Sequence, residues 1–404
     1  MFLSKKIGMS LLCLVSLLFS GCTEKVIPLT IWVDSGNVPV IQKRLDEFAQ
    51  INSKNKKFNF KIIEQSSASC RNVLLDGNVE LPDVFVFIDN QLNELYDKGF
   101  LKEITYEKDR VITECGGPES GVVKASMKDG KLMAYPELNS NGYFMYYNKA
   151  YFKPEDLNSF ERIADVAYSQ GKKVSMDLQN GWYLYSFFKA AGLDIQINED
   201  GISNSCNWNA RDAQYTGVEV AKSISRLSRH PGFITSADKN FISLIESGEI
   251  VAGVNGAWNA IKVSELWGEN YAACKLPCIN IAGKDLQMHS YAGYKLVGVC
   301  SATSYPEWAE KTAEWLTNEI SQLAIFENTG ECPANMKAAY SPQVKASPAI
   351  TALAAQSKFS HSQLVYKSVW KPAKLFGVML TEMTLSDDQL QSELDTLVEA
   401  ISGK

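Results

Sequence analysis

The chain of 404 residues is 46% apolar, 11% aromatic and 21% charged, with 13 Pro and 26 Gly, which is material for two or three packed domains and excludes wholesale disorder or a collagen-like rod. Its 46 acidic residues outweigh 40 basic ones for a net charge of −6, a balance that argues against a nucleic-acid-binding face. His230, His289 and His361 stand far apart, without a second His or a Cys at metal-ligand spacing, so neither a metal centre nor a cofactor is expected.

The first residues read as an export signal. Lys5-Lys6 precede an eleven-residue apolar run, Met9 to Phe19, which is too short to span a bilayer. Ser20-Gly21-Cys22 follows and resembles the lipobox of bacterial lipoproteins, with Phe19 standing where Leu is usual. Residues 1–21 are therefore expected to be the signal peptide, and residues 22–28 a tether lipidated on Cys22. Each acyl CH₂ buried in the bilayer adds ~0.8 kcal/mol, enough for several chains on one Cys to hold the exported protein at the outer face of the cytoplasmic membrane. Removing residues 1–21 takes two lysines and deepens the charge from −6 to about −8. Seven cysteines then remain: Cys70, Cys115, Cys206, Cys274, Cys278, Cys300 and Cys332. One or two disulfides plus buried thiols are expected, with the pairing left open by the sequence.

The body opens with a buried strand at Leu29–Val33, a loop at Asp34-Ser35-Gly36-Asn37, a helix over 38–51 and a second strand over 58–63. Strand, helix, strand in this order predicts an α/β lobe with parallel pairing. Leu81–Ile88 is a further buried strand, and the helix after it ends at Lys98-Gly99. Two strand-like runs, 130–136 and 143–149, flank the polar stretch Glu137–Gly142. Amphipathic spacing predicts helices over 159–171, 182–192, 211–230 and 238–247. A strand near 250–256 ends in a turn that presents Trp258. A helix over 306–329 is followed by the break Gly330-Glu331-Cys332-Pro333, and the tail reads as several helices, the last opening on a capping-box pattern at Ser386–Gln389.

No nucleophile elbow, phosphate-binding loop, dinucleotide fingerprint or His-Glu-x-x-His is present. Asp83 and Asp89 are the candidates for a glycosidase-type carboxylate pair, although a turn-fixing role for Asp83 and a surface loop for Asp89 is the better reading.

Several short segments in order, Leu29-Thr30-Ile31-Trp32-Val33, Leu81-Pro82-Asp83-Val84-Phe85, Gly99–Thr105, Asp129–Pro136, Tyr147-Asn148-Lys149, Val254-Asn255-Gly256-Ala257-Trp258 and Val369-Trp370, resemble the family 1 extracellular solute-binding proteins of ABC importers, in their maltose/maltodextrin-binding branch. The resemblance runs from about Leu29 to about Gly377. It implies an α/β, two-lobed periplasmic-binding-protein-like fold of type II, with an N-lobe of 29–138 plus 295–330 and a C-lobe of 143–292 plus 336–404. Hinge crossovers are expected near 138–143, 292–295 and 330–335. Such a protein is a monomer that captures a carbohydrate and delivers it to permease subunits, without catalysis.

A neutral sugar needs flat aromatic platforms for its C–H faces and planar hydrogen-bonding groups for its hydroxyls. The resemblance places stacking aromatics at Trp182, Trp258 and Trp370, with Phe87 on the other lobe and Tyr183 beside Trp182. Matching polar positions are Asn90, Gln91, Ser140 and Asn180, uncharged where the maltose protein has carboxylates and an Arg. Asp34 and Asn37 in the first loop, and Asn139 or Asn141 in the first crossover, complete the expected set. The rival readings are a receptor for a polyamine or an anion, and a carbohydrate-active surface enzyme or adhesin.

Overall fold

The computed structural model describes residues 25–54 and 56–403; the signal segment, the lipidation site Cys22 and the first part of the tether lie outside the described residues. Strand β1 (Lys25–Val33) already includes Lys25–Pro28, which the sequence reading gave to the tether. Ile27 is fully buried, and Pro28 is tolerated because β1 has a second strand neighbour only at Ile31 and Trp32. Helix α1 (Val38–Ile51) returns the chain to β2 (Lys56–Glu64), which pairs with β1 in parallel along its whole length. A short helix α2 (Cys70–Asp76) leads to β3 (Val84–Ile88), whose five residues are all buried, as a central strand covered on both faces requires. Helix α3 (Leu92–Asp97) follows, and β4 (Tyr135–Leu138) ends the first stretch of this lobe.

The second lobe opens with β5 (Tyr143–Asn148) and continues through β6 (Lys173–Met176), α4 (Gly181–Ala190), α5 (Gly217–Ser228), β7 (Phe233–Thr235), β8 (Ile250–Gly256) and β9 (Tyr271–Cys274). After β10 (Ser290–Ala292) the chain enters β11 (Lys295–Val299). That strand inserts antiparallel between β3 and β4, giving a first sheet of order β2-β1-β3-β11-β4. Helices α6 (Pro306–Thr317) and α7 (Glu319–Thr329) cover it. The sequence pattern runs through 306–329 without interruption, but Asn318 splits it, taking an extended conformation and capping α7 through the Ser321 amide. Helix α8 (Pro348–Gln356), β12 (Ser360–Ser362), α9 (Trp370–Glu382) and α10 (Asp387–Ser402) then complete the second lobe.

The second sheet has the order β7-β6-β8-β5-β9. Tyr143 and Met145 of β5 face one apolar core with α4, α5, α9 and α10, while Phe144 and Tyr146 face a smaller one with Ala349 and Ala352 of α8. Both faces of β5 are thus covered, which accounts for its unbroken apolar run. A hairpin of Cys278–Ile281 with Lys284–Gln287, absent from the sequence reading, turns on Ala282 and Gly283 at φ of 50° and 82°.

The chain passes between the lobes three times: through 139–142, through Gly293-Tyr294, and after α7. These segments are hydrogen-bonded to one another. Asn139 N donates to Cys332 O at 2.7 Å, Cys332 N to Ser140 Oγ at 3.0 Å, and Asn141 N to Gly293 O at 3.2 Å. Residues 336–339, assigned to the C-lobe by sequence, form a short helix tied instead to the first lobe. Asn335 Nδ2 donates to Glu114 at 3.2 Å and Lys337 pairs with Glu319 at 2.8 Å.

All seven cysteines among the described residues are free, so the expected disulfides do not form. Cys70, Cys115 and Cys300 pack in the first core as small apolar side chains. Burial pushes the Cys115 thiol up to about 12.

Candidate functional site

A cavity of 630 Å³ lies between the lobes. Its first-lobe wall comes from the loop after β1 (Asp34, Gly36, Asn37), from Ser67 and Arg71 at the start of α2, and from Asn90 after β3; its second-lobe wall comes from Asn180, Trp182, Asp238, Trp258, Gln363 and Trp370.

The aromatic wall is built by close packing. Trp258 sits in a single 3₁₀ turn after β8, and a Cβ on Gly256 would stand 2.0 to 2.5 Å from its ring, so only glycine lets the indole fold back over the strand end. Trp182 lies 6.0 Å from Trp258 at an interplanar angle of 33°, with its Nε1 donating to Gln363 Oε1 at 2.9 Å. Asn180 caps α4 by accepting from the Trp182 amide at 3.0 Å, which fixes the start of the helix that carries the ring. Trp370 is the first residue of α9, and a Cβ on Gly181 would meet Ala373 of that helix at 2.7 Å. Two small residues thereby bring Trp182 and Trp370 onto one wall.

The polar groups divide into those already committed and those left open. Asp34 accepts from Ser67 N at 2.8 Å through one oxygen and from Lys295 Nζ at 2.9 Å through the other. Lys295 also pairs with Glu331 at 2.7 Å. Two carboxylates already neutralise this buried ammonium, and nearby Glu137, also buried, is pushed up to about 8 by burial and by the charges of Glu331 and Asp34 against the pull of Lys295. Among the described residues, Asp238 has no cation beside it. Its Oδ1 accepts from the Tyr183 hydroxyl at 2.7 Å and from Asn255 Nδ2 at 3.2 Å, and burial raises its pKa to about 6. Asn90, which lines the cavity, has its Oδ1 buried without a hydrogen-bond partner among the described residues.

Of the residues expected from sequence, Trp182, Trp258, Trp370, Asn90, Asn180, Asp34 and Asn37 line the cavity, as do Gln91 and Asn141. Four do not. Phe87 is fully buried in β3, packed on Phe85 at 5.6 Å, because both faces of that strand are covered. Tyr183 is fully buried and acts through its hydroxyl on Asp238. Ser140 is spent on the amide of Cys332, and Asn139 is solvent-exposed with its amide on the same residue's carbonyl. The alternative carboxylate pair is structural: Asp83 accepts from Thr30 N at 2.7 Å and Thr303 Oγ1 at 2.5 Å, and Asp89 accepts from Tyr294 N at 3.1 Å beside the second crossover.

Sequence reasoning missed Arg71, Asp238, Lys295, Glu331 and Gln363. A single lysine opening the apolar run Lys295-Leu296-Val297-Gly298-Val299 was the one local sign, since a charge at a strand end ordinarily marks solvent. Asp238 looked like the start of a helix, which it also is.

The family model described as bacterial extracellular solute-binding protein matches residues 46–352. A galactooligosaccharide-binding protein of Bacillus subtilis is 25% identical over all of this chain and 98% of its own length. A maltooligosaccharide ABC transporter solute-binding lipoprotein of Streptococcus pneumoniae is 24% identical over 88% of this chain and 84% of its own. Among solved structures, one solved with acarbose is 26% identical and superposes with a TM-score of 0.81 over 93% of this chain and 99% of that one. A maltodextrin-binding protein from L. casei without ligand superposes with a TM-score of 0.73 at 21% identity, covering 93% of this chain and 99% of that one.

Proposed function

The chain belongs to the bacterial extracellular solute-binding protein family, and from that premise we propose that it captures a carbohydrate of oligosaccharide size between its lobes and delivers it to the permease of an ABC importer. The observation that carries this reading is the wall of Trp182, Trp258 and Trp370 facing amide groups across a 630 Å³ cavity. Indole faces suit the C–H faces of pyranose rings, and amides suit hydroxyls because they both donate and accept. The relatives named for galactooligosaccharide and maltooligosaccharide binding support the same class of ligand. Closure of the lobes around the sugar is the signal to the permease, and differential affinity for the closed form sets its strength.

The charges of the cleft support a sugar over the rival solutes. An anion would have to displace Asp34 and Glu331 from Lys295 or Glu94 from Arg71, and a polyamine would find Asp238 as the one lining carboxylate without a cation among the described residues. The same count supports a receptor over a hydrolase, because glycoside hydrolysis needs two available carboxyl groups. Lipid anchoring through Cys22 completes the reading and keeps the receptor beside its permease as a monomer.

A thermal-shift screen against mono- and oligosaccharides tests the proposal. Ligand at a hundred times Kd stabilises by ~2.7 kcal/mol, an easily read rise in Tm. At least one oligosaccharide is expected to raise Tm, with Trp258→Ala weakening it about 10- to 100-fold, the usual loss for a buried aromatic anchor. A rise with polyamines or anions and none with any sugar overturns the assignment.

A further inference from the structure

We propose that Glu94 and Lys367 form a latch across the cleft, an ion pair that favours the closed arrangement of the lobes without touching the ligand, and that Arg71 positions Glu94 for it. This rests on the reading of the protein as a receptor whose lobes close around a solute. Glu94 lies on α3, whose Leu92 and Leu95 are buried in the first core. Lys367 lies in the 3₁₀ turn that leads into α9, whose Val369 is buried in the second core. Their side chains meet at 3.0 Å, so the contact joins the two lobes. Neither residue lines the cavity, and neither belongs to a crossover.

Both anchors are held from behind. The Arg71 Nε lies 3.4 Å from the other oxygen of Glu94, and the backbone amide of Arg71 donates to Gln91 Oε1 at 2.9 Å. One carboxylate therefore carries a cation from each lobe. On the opposite side, Tyr366 N donates to Asn204 Oδ1 at 2.7 Å, and Ser368 Oγ donates to the carbonyl of Ile401 at 2.7 Å, fixing the turn on either side of Lys367. Trp370 is three residues further on, so the turn that presents a stacking ring also presents the latch.

The consequence follows from which state holds the contact. Opening the lobes leaves Arg71 with Glu94 but returns Lys367 to water, so the pair contributes to closed over open and to nothing within either lobe. With the Lys367 side chain 39% exposed and that of Glu94 22% exposed, the coupling is of the partly solvated kind and is screened by salt.

The test is made on the full chain without sugar, so that it stands apart from ligand identity. Spin labels on keto amino acids, one at an exposed site on each lobe, leave the native thiols alone and report the interlobe distance. At 20 mM NaCl the closed-to-open ratio of wild type is expected to exceed that of Lys367→Gln by about two- to fivefold, with Lys367→Arg close to wild type. At 500 mM NaCl the difference should vanish. Glu94→Gln in the Lys367→Gln background should add no further loss. A closed-to-open ratio for Lys367→Gln equal to wild type at 20 mM NaCl overturns the latch, provided the Tm of the two ligand-free proteins agrees; a sugar screen without hits leaves this result standing and sinks the sugar assignment instead.

Discussion

Asp89 shows how a single carboxyl can set a pH response. It sits at the end of β3, accepts from the Tyr294 amide of the second crossover, and has its pKa raised from 3.8 to about 6 by burial. A raised folded pKa means that the folded protein holds its proton more tightly than the unfolded chain does. The stabilising effect is complete below pH 4 and is lost as pH rises through 6. Asp238 is raised to about 6 for the same cause, and the two add in the same direction. Asp34, held below its ordinary value by Lys295, acts in the opposite sense only as pH falls below 4. Asparagine at position 89 keeps an acceptor for Tyr294 and never ionises. Asp89→Asn is therefore expected to raise stability at pH 7 by about 1–2 kcal/mol in urea unfolding and to shrink the gain that wild type shows between pH 7 and 5 to the share of Asp238 and Glu137. An unchanged pH profile in the variant would show that Asp89 is not the group responsible. Residues of this kind were the least legible in the sequence. The three tryptophans declared themselves by type and by the turns beside them, whereas Asp89, Asp238 and Lys295 differ from surface charges only in what surrounds them. Phe87 failed for a related reason: an all-apolar strand does not say that both its faces are core and that only its end, at Ile88 and Asn90, reaches the cleft.

At the scale of elements, the second-lobe wall depends on how closely α9 lies on the chain that precedes α4. A Cβ on Gly377 would stand 2.3 Å from the Leu178 carbonyl oxygen and 3.0 Å from the Gln179 Cα, both backbone atoms that cannot turn aside. Gly377→Ala is expected to push α9 outward, lowering Tm and costing roughly 1–3 kcal/mol by overpacking. Because Trp370 is the first residue of the same helix, oligosaccharide affinity should fall as well, while Gly403→Ala, at an open helix end, should leave affinity unchanged. If Gly377→Ala melts lower yet binds as wild type does, the helix position and the stacking ring are uncoupled. Strands and long helices were read well from period and apolar content. Boundaries set by side-chain capping, such as Asn318 within an otherwise continuous amphipathic stretch, and short hairpins such as 278–287, escape a reading based on periodicity.

At the scale of the whole molecule, two lobes were visible only through the family resemblance, since nothing in composition marks a boundary that the chain crosses three times. Strand β11, residues 295–299, lies between β3 and β4 in the first sheet, although every strand of the second sheet precedes it in the chain. The second lobe in turn waits for Ala373, Phe376 and Leu380 of α9 and for Leu390 and Leu394 of α10 to close its core. A chain ending at residue 368 keeps every segment of the first lobe and should therefore show in calorimetry only that lobe's smaller transition, whereas a transition with the full-length enthalpy would mean that the second lobe folds without its last helices. The order of delivery matters for a protein that works outside the cytoplasm. A polypeptide emerging from the ribosome or threading a translocation pore presents its N-terminus first, and here the first half lacks a central strand until residues 295–299 have arrived and the second lacks its last covering helix until residue 402. Interlacing thus delays the completion of each lobe until long after its first residues have been delivered, a delay inherent in the order of the strands.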